Sequence, residues 1–384
     1  MSSASLMSHF ADLPDPRIER TKRHKLIDIM VMAMCGVICG ANDWVAIETY
    51  GRAKESWFRQ FLELPNGIPS HDTFGDVFAR LNSDAFRQCF MDWVQAVFVA
   101  TQGQVIALDG KCPRGSKDGT LGRSAIDMVS AWATHNHLVL GQMKVDDKSN
   151  EITAIPALLA LLDVSGCIVT IDALGCQKDI AQAIVEGQAD YVLALKENHP
   201  LLYQEVSRLF QATPPLAHQA YTPDYTRTVE KDHGRLEIRE CWTLSDPHGF
   251  PFLQNASMWP QLHTLAMLRR ERQFPDHSTV ESAFYLSSLP GSASRLLEAT
   301  RAHWGIENSL HWVLDVAFRE DDQRFRSDNG PQNATILRHV ALNLLKQETT
   351  AKGGIQTKRL RAGWEDAYLL KVLGVSKTSL PSSV

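Results

Sequence analysis

Two aspartates stand at the ends of short apolar runs, Asp109 closing Gln104–Asp109 (QVIALD) and Asp172 closing Cys167–Asp172 (CIVTID). Runs of that length and texture predict buried strands. In open α/β sheets, binding crevices form at strand C-termini. Carboxylate oxygens suit a hard cation such as magnesium, which needs few protein ligands and completes its shell with water and phosphate oxygens. Two such ions about 3.5–4 Å apart activate an attacking hydroxyl and stabilise a leaving oxygen. A plainer reading stays open at this point, because an Asp-Gly step such as Asp109-Gly110 is also a common turn.

A third acid, Glu307, lies in His303-Trp304-Gly305-Ile306-Glu307-Asn308, midway along an amphipathic helical segment. It falls on the stripe Leu296, Leu297, Thr300, Trp304, Glu307, Leu310, Leu314 and Phe318, which is expected to face a sheet. An acid there is costly unless it is paired or bound to metal. His303 and His311 stand four residues to either side, so the three share a helix face. A zinc site built from that trio, or a salt bridge from Glu307 to a nearby Arg or Lys, is the alternative.

The elements that must position these groups are readable from pattern. Residues 1–102 are expected to form an all-helical N-terminal domain, with apolar spacing at Leu26–Ala41 and His71–Leu81 and an N-cap at Ser83. From 103 the texture changes. Gln104–Asp109, Ile126–Thr134 and Leu138–Val145 read as an antiparallel meander, with His135-Asn136-His137 as a turn. Helix Glu151–Leu162, strand Cys167–Asp172, helix Gln177–Glu186 and strand Tyr191–Lys196 follow, with the strands parallel through right-handed crossovers. That order is the ribonuclease-H-like arrangement of an α/β catalytic domain, expected over 103–350. A β-rich insertion at about 213–290 opens on Pro214 and Pro215 and includes a hairpin turning at His233-Gly234. Residues 351–384 read as a C-terminal tail.

Composition frames the function classes. The 384 residues are 44% hydrophobic and 22% charged, which is globular composition. The first 20 residues carry charges and two prolines without an apolar run, so no secretory leader is expected. Ile29–Cys39 is too short to span a bilayer, so a cytoplasmic, nucleoid-associated protein is expected. Seven cysteines, an odd number set mostly in apolar runs, read as buried thiols rather than a disulfide framework or zinc site. The net charge of −5 is unlike a uniformly basic nucleic-acid binder, but the distribution of charge matters more than its sum. Basic residues cluster at Arg17–Lys25, at Arg114, Lys117 and Arg123, at Arg319–Arg326, and at Lys358–Arg361.

Seven stretches carry a family resemblance. They are DPR at Asp15–Arg17 with HKLID at His24–Asp28, PSHDTF at Pro69–Phe74, ALDGK at Ala107–Lys111, KSNEITAIP at Lys148–Pro156 with VTIDALGCQ at Val169–Gln177, HGRLEIR at His233–Arg239, HWGIENSLHWVLDVAFRED at His303–Asp321, and KRLRAGW at Lys358–Trp364. In order and joint presence the chain resembles the DDE transposases of bacterial insertion sequences, in the branch of H-repeat-associated proteins of Rhs elements. The resemblance implies that Asp109, Asp172 and Glu307 are catalytic and hold Mg2+, with Mn2+ able to substitute. It implies cleavage at the element's terminal inverted repeats and strand transfer of the freed 3′ hydroxyl into target DNA, with a homodimer on DNA and no membrane partner. The wider group often carries Tyr, Arg, Glu and Lys along the Glu307 helix, whereas this chain has Thr300, His303 and Leu314 in the Tyr, Arg and Lys places. Candidate DNA contacts are therefore Lys111, Lys148, Asn150, Lys196, Arg235, His303, Arg17 and Arg23, with Glu151 as a candidate accessory acid. The rival expectations are a catalytically silent or domesticated DNA-binding protein and another metal-dependent phosphohydrolase.

Overall fold

A computed structural model of the chain describes residues 6–98, 102–117, 124–146, 150–211, 222–232, 234–246, 248, 250, 251, 253 and 255–375. Arg123, Lys148, Pro214, Pro215 and His233 lie outside the described residues.

The N-terminal part is helical: α1 Leu6–Phe10, α2 Leu26–Ile38, α3 Trp44–Ala53, α4 Glu55–Phe58, α5 His71–Arg80 and α6 Ser83–Val97. Helix α2 is apolar on every side and buried from Asp28 to Ile38, so it forms the centre of the group. Side-chain caps start the neighbouring helices. Asp43 accepts from Ala46 N at 2.7 Å, and Asn82 accepts from Ala85 N at 2.9 Å. The cap of α6 is thus Asn82 and not Ser83, which is the first helical residue and is buried.

Strands β1 Val105–Lys111, β2 Met128–Ala133 and β3 Leu138–Lys144 form the expected meander. Then come α7 Glu151–Leu159, β4 Ile168–Ile171, α8 Lys178–Glu186, β5 Asp190–Leu195 and α9 Pro200–Gln211. β4 lies parallel to both β1 and β5. An antiparallel meander follows, of β6 Thr222–Asp232, β7 Arg235–Ser245, β8 Thr264–Gln273 and β9 Ser278–Ser287. It does not stand apart. β9 pairs antiparallel with β5, Leu193 opposite Leu286, so one mixed sheet of nine strands runs β3-β2-β1-β4-β5-β9-β8-β7-β6.

The last part is helical again: α10 Ala293–Ile306, a π-helical turn Glu307–His311, α11 Trp312–Phe318, α12 Gly330–Gln347, α13 Ile355–Trp364 and α14 Asp366–Val372. Helix α12, buried from Gly330 to Leu345, packs on α2, α5 and α6 and also on β3. One large apolar core therefore runs from Leu6 to Val372, and a second, smaller cluster packs Leu296 and Leu297 of α10 on Ile168, Val192 and Leu268 of the sheet. Residues 355–372, read from sequence as part of a tail, are helices packed on α2, α11 and α12, because Ile355, Ala362, Tyr368 and Leu369 supply an apolar face. Among the described residues no helix is long and apolar enough to cross a membrane. The cysteines are unbridged, four of them buried, although Cys112 is exposed.

Candidate active site

Strand register brings the two aspartates together. Leu108 on β1 is the parallel partner of Ile171 on β4, so the next residues, Asp109 and Asp172, emerge at the same end of adjacent strands. Asp109 Oδ1 accepts from Gly110 N at 2.9 Å, and Asp172 Oδ1 accepts from Leu174 N at 3.1 Å, which fixes each carboxyl against its own turn. Both line a cavity of about 820 Å3 between the sheet and α10, together with Lys196, His303 and Glu307.

Glu307 reaches this place from the helix. One donor atom each from Asp109, Glu307 and His311 lies within 4.8 Å of the others. The expectation that Glu307 faces the sheet among apolar residues is corrected. Its side chain is 59% exposed, and His311 at i+4 is buried instead. The π-helical turn changes the register, so Leu310 and His311 go inward. Trp304, expected on the same inward stripe, is exposed, with the Arg270 guanidinium 5.0 Å from its ring centroid.

The electrostatics are those of crowded acids. Burial pushes the Asp109 carboxyl up to about 7, helped by the charges of Asp172, Glu151 and Glu307 and opposed by the Gly110 N–H. Burial likewise raises Glu151, with Asp172 and Asp127 adding to it. A Cβ at Gly110 would fall 1.9 Å from Glu151 Oε1, which places that carboxylate against the β1 backbone beside Asp109. Burial lowers both His303 and His311 from the ordinary histidine value. Asp109, Asp172 and Glu307 line one cavity with Glu151 beside Asp109, and these neighbouring acids raise the proton affinity of Asp109 unless a cation joins them. Hard oxygen donors in that number fit a divalent ion.

The sequence-derived DNA contacts divide. Lys196 is exposed at the end of β5 and lines the cavity. His303 lines it too, its Nδ1 3.1 Å from Thr170 Oγ1. Arg23 is exposed, far along the chain in the N-terminal helical part. Asn150 caps α7, accepting from Ile152 N at 3.1 Å. Arg235 lies beyond the cavity lining, 2.6 Å from Glu237. Two expectations are corrected. Arg17 is buried, bound to both Asp15 oxygens at 3.0 and 2.8 Å and donating to His24 O at 2.7 Å. Lys111 is turned away into an ion pair with Asp315 at 2.5 Å. Arg270, which lines the cavity from β8, was not singled out by sequence reasoning. Its signal is only its place in a strand whose alternate residues face α10.

Comparison with known proteins gives the family. Residues 100–344 match the family described as the transposase DDE domain. Residues 7–94 match the family described as DDE_Tnp_1-associated. The chain is 39% identical over 377 residues to the YncI protein of Escherichia coli O157:H7, covering 97% of this chain and 95% of that one. It is 36% identical over 392 residues to the H repeat-associated protein YhhI of Escherichia coli strain K12, covering 99% of this chain and all (100%) of that one. A looser likeness, 10% identical with a TM-score of 0.42, is to the piggyBac transposase synaptic complex with hairpin DNA, covering 98% of this chain and 78% of that one. With residues 100–344 matched to the transposase DDE domain and two relatives matched nearly end to end, this chain belongs to the DDE transposase family, in its H repeat-associated branch.

Proposed function

We propose that the chain cuts DNA at the ends of an insertion sequence and transfers the freed 3′ hydroxyl into target DNA, with Asp109, Asp172 and Glu307 as the catalytic acids. The observation that carries this is the shared exit of Asp109 and Asp172 from adjacent parallel strands, with Glu307 brought to Asp109 by a separate helix. The β3-β2-β1-β4-β5 order, with β2 and β3 antiparallel, supports a ribonuclease-H-like catalytic domain over 103–350 extended by the β6–β9 insertion. Residues 1–102 are the proposed helical domain that contacts element ends.

Asp109, Asp172 and Glu307 hold Mg2+, or Mn2+ in its place. When bound, the cation stabilises charge on the scissile phosphate and lowers the pKa of the attacking water or hydroxyl. The remaining work is positioning, since phosphoryl transfer asks little covalent chemistry of side chains. Lys196 and Arg270 face the cavity as the cations for the cleaved phosphate, and Thr170 orients His303 within it. Arg23, Asn150, Arg235 and Lys148 are proposed to track the flanking backbone, giving salt-sensitive binding. Two copies pair two ends, so the working form is a homodimer on DNA in the nucleoid.

The test incubates the purified protein with its flanking element ends and magnesium. Nicking and strand transfer are expected, with Asp109→Asn, Asp172→Asn and Glu307→Gln each lowering the rate roughly a thousandfold, the kinetic equivalent of about 4 kcal/mol. Full activity in Asp109→Asn would sink the reading. Hydrolysis of small phosphate esters without DNA preference would replace it with a phosphohydrolase.

A further inference from the structure

The helix carrying Glu307 leaves α-helical register at Glu307–His311. Such widened turns are rare and concentrate at functional sites. Here the turn delivers a buried imidazole to an acid cluster. His311 is 5% exposed, and its Nδ1 stands 3.4 Å from Glu307 Oε2 and 3.5 Å from Asp109 Oδ2.

Both separations are long for a charge-assisted N–H···O bond, which runs about 2.7–2.9 Å. They match the edge of a coordination shell: donors about 2.1–2.2 Å from one ion, in tetrahedral or octahedral directions, stand about 3.0–3.6 Å apart. The ring's other nitrogen, Nε2, is buried without a hydrogen-bond partner among the described residues. Packing alone would not aim Nδ1 at two carboxylates, and a histidine placed to donate to them would sit closer.

Resting on the metal reading of the Asp109–Asp172–Glu307 centre, we propose that His311 supplies a ring nitrogen to the divalent cation held by Asp109 and Glu307. The centre is then a mixed nitrogen–oxygen site that prefers manganese to magnesium. Magnesium takes oxygen ligands and binds an imidazole poorly, whereas first-row divalent ions, manganese included, accept a ring nitrogen beside carboxylate oxygens. His303, four residues to the other side of Glu307, faces Thr170 and takes no part.

The test is pulsed EPR of the full-length protein with stoichiometric MnCl2. The wild type is expected to show echo modulation from a directly bound imidazole nitrogen, retained in His303→Gln and lost in His311→Gln. His311→Gln should also weaken Mn2+ binding by at least the roughly 10–100-fold that loss of an outer-shell partner costs, with a smaller loss for Mg2+. Because the wild-type spectrum decides first, a poorly folding variant does not block the answer. Asp109-dependent Mn2+ binding without nitrogen modulation, or modulation surviving in His311→Gln, overturns the proposal and leaves the carboxylate centre standing. Absence of any Mn2+ binding that Asp109→Asn abolishes overturns the metal reading and this proposal together.

Discussion

Lys111 Nζ lies 2.5 Å from Asp315 Oδ1, tying the strand that bears Asp109 to the helix that follows Glu307. The same ammonium stands 3.4 Å from Glu320 Oε2 and donates to His311 O at 3.2 Å. Glu320 is buried, and burial pushes its carboxyl up. Arg338, 2.8 Å away, and Lys111 more than offset that and hold it below the usual range. Breaking one partner of such a buried set costs roughly 3–5 kcal/mol. Lys111→Met is therefore expected to lower the Tm by many degrees while leaving the salt slope of DNA binding unchanged. A slope reduced by about one, with Tm intact, would instead make Lys111 a phosphate contact.

Asp109 makes the metal-free protein lose stability as pH rises toward neutrality. Its carboxyl titrates near 7 when folded, against an ordinary value of 3.8, because burial and neighbouring acids disfavour the anion. Between those values the folded chain holds a proton that the unfolded chain has released. Stability from this group is thus fullest below about 4, declines as pH rises through the window, and levels off above about 7, a total on the order of a few kcal/mol. In chelator, Asp109→Asn should melt higher than the wild type at pH 7.5 and show a flatter Tm profile from pH 4 to 7. Magnesium should raise the wild-type Tm at pH 7.5 and leave the variant nearly unmoved. A wild-type Tm that climbs between pH 4 and 7 in step with the variant's would refute the assignment.

The strand-end placement of Asp109 and Asp172 was legible because an apolar run with an acid at its close has few other homes in an α/β sheet. The order of strands and helices through Leu195 was legible for the same reason: period and length specify it. Glu307 was legible as a residue but not in its exposure. The stripe counted from sequence sends Trp304 and Glu307 inward, but α10 buries Leu296, Leu297, Thr300 and Ile306 instead, and the π-helical turn that then carries His311 inward cannot be read from spacing. The basic residues were the least legible. Arg17 and Lys111, expected as DNA contacts, and Arg359 of the Lys358–Arg361 cluster carry long side chains whose partners, His24 O, Glu320 and Val37 O, are fixed by tertiary packing.

Gly110 provides a test of the acid pair behind the centre. A methyl group there would meet Glu151 Oε1 at 1.9 Å, so the carboxylate must move. Because the obstacle is the far end of a side chain, Gly110→Ala should cost only about 1–2 kcal/mol. Adding Glu151→Ala should recover most of that loss, and a double-mutant cycle should read a coupling of about 1 kcal/mol or more. Strict additivity would mean that the two residues do not share this space.

Arg359 joins two helix ends and is expected to act on stability alone. It is 1% exposed, with its guanidinium 4.2 Å from the Phe318 ring. Nε and Nη2 donate to Val37 O at 3.1 and 2.7 Å, Nη2 also to Asn42 Oδ1 at 3.0 Å, and Nη1 to Ala317 O. Val37 and Ala317 lie in the last turns of α2 and α11, where carbonyls lack helical partners and a cation is favoured. Arg359→Leu removes the donor from Ala317 O and Asn42 Oδ1 and leaves Val37 O with only the long bond from Gly40 N at 3.3 Å, and should cost roughly 3 kcal/mol or more. Arg359→Lys should rescue little, because one ammonium cannot reproduce the planar fork that reaches both helices. Thermal melts of the two variants, with DNA titrations at a temperature where both stay folded, separate the roles. Lower Tm with an unchanged salt slope is expected, whereas an unchanged Tm with the slope reduced by about one would place Arg359 on the DNA surface.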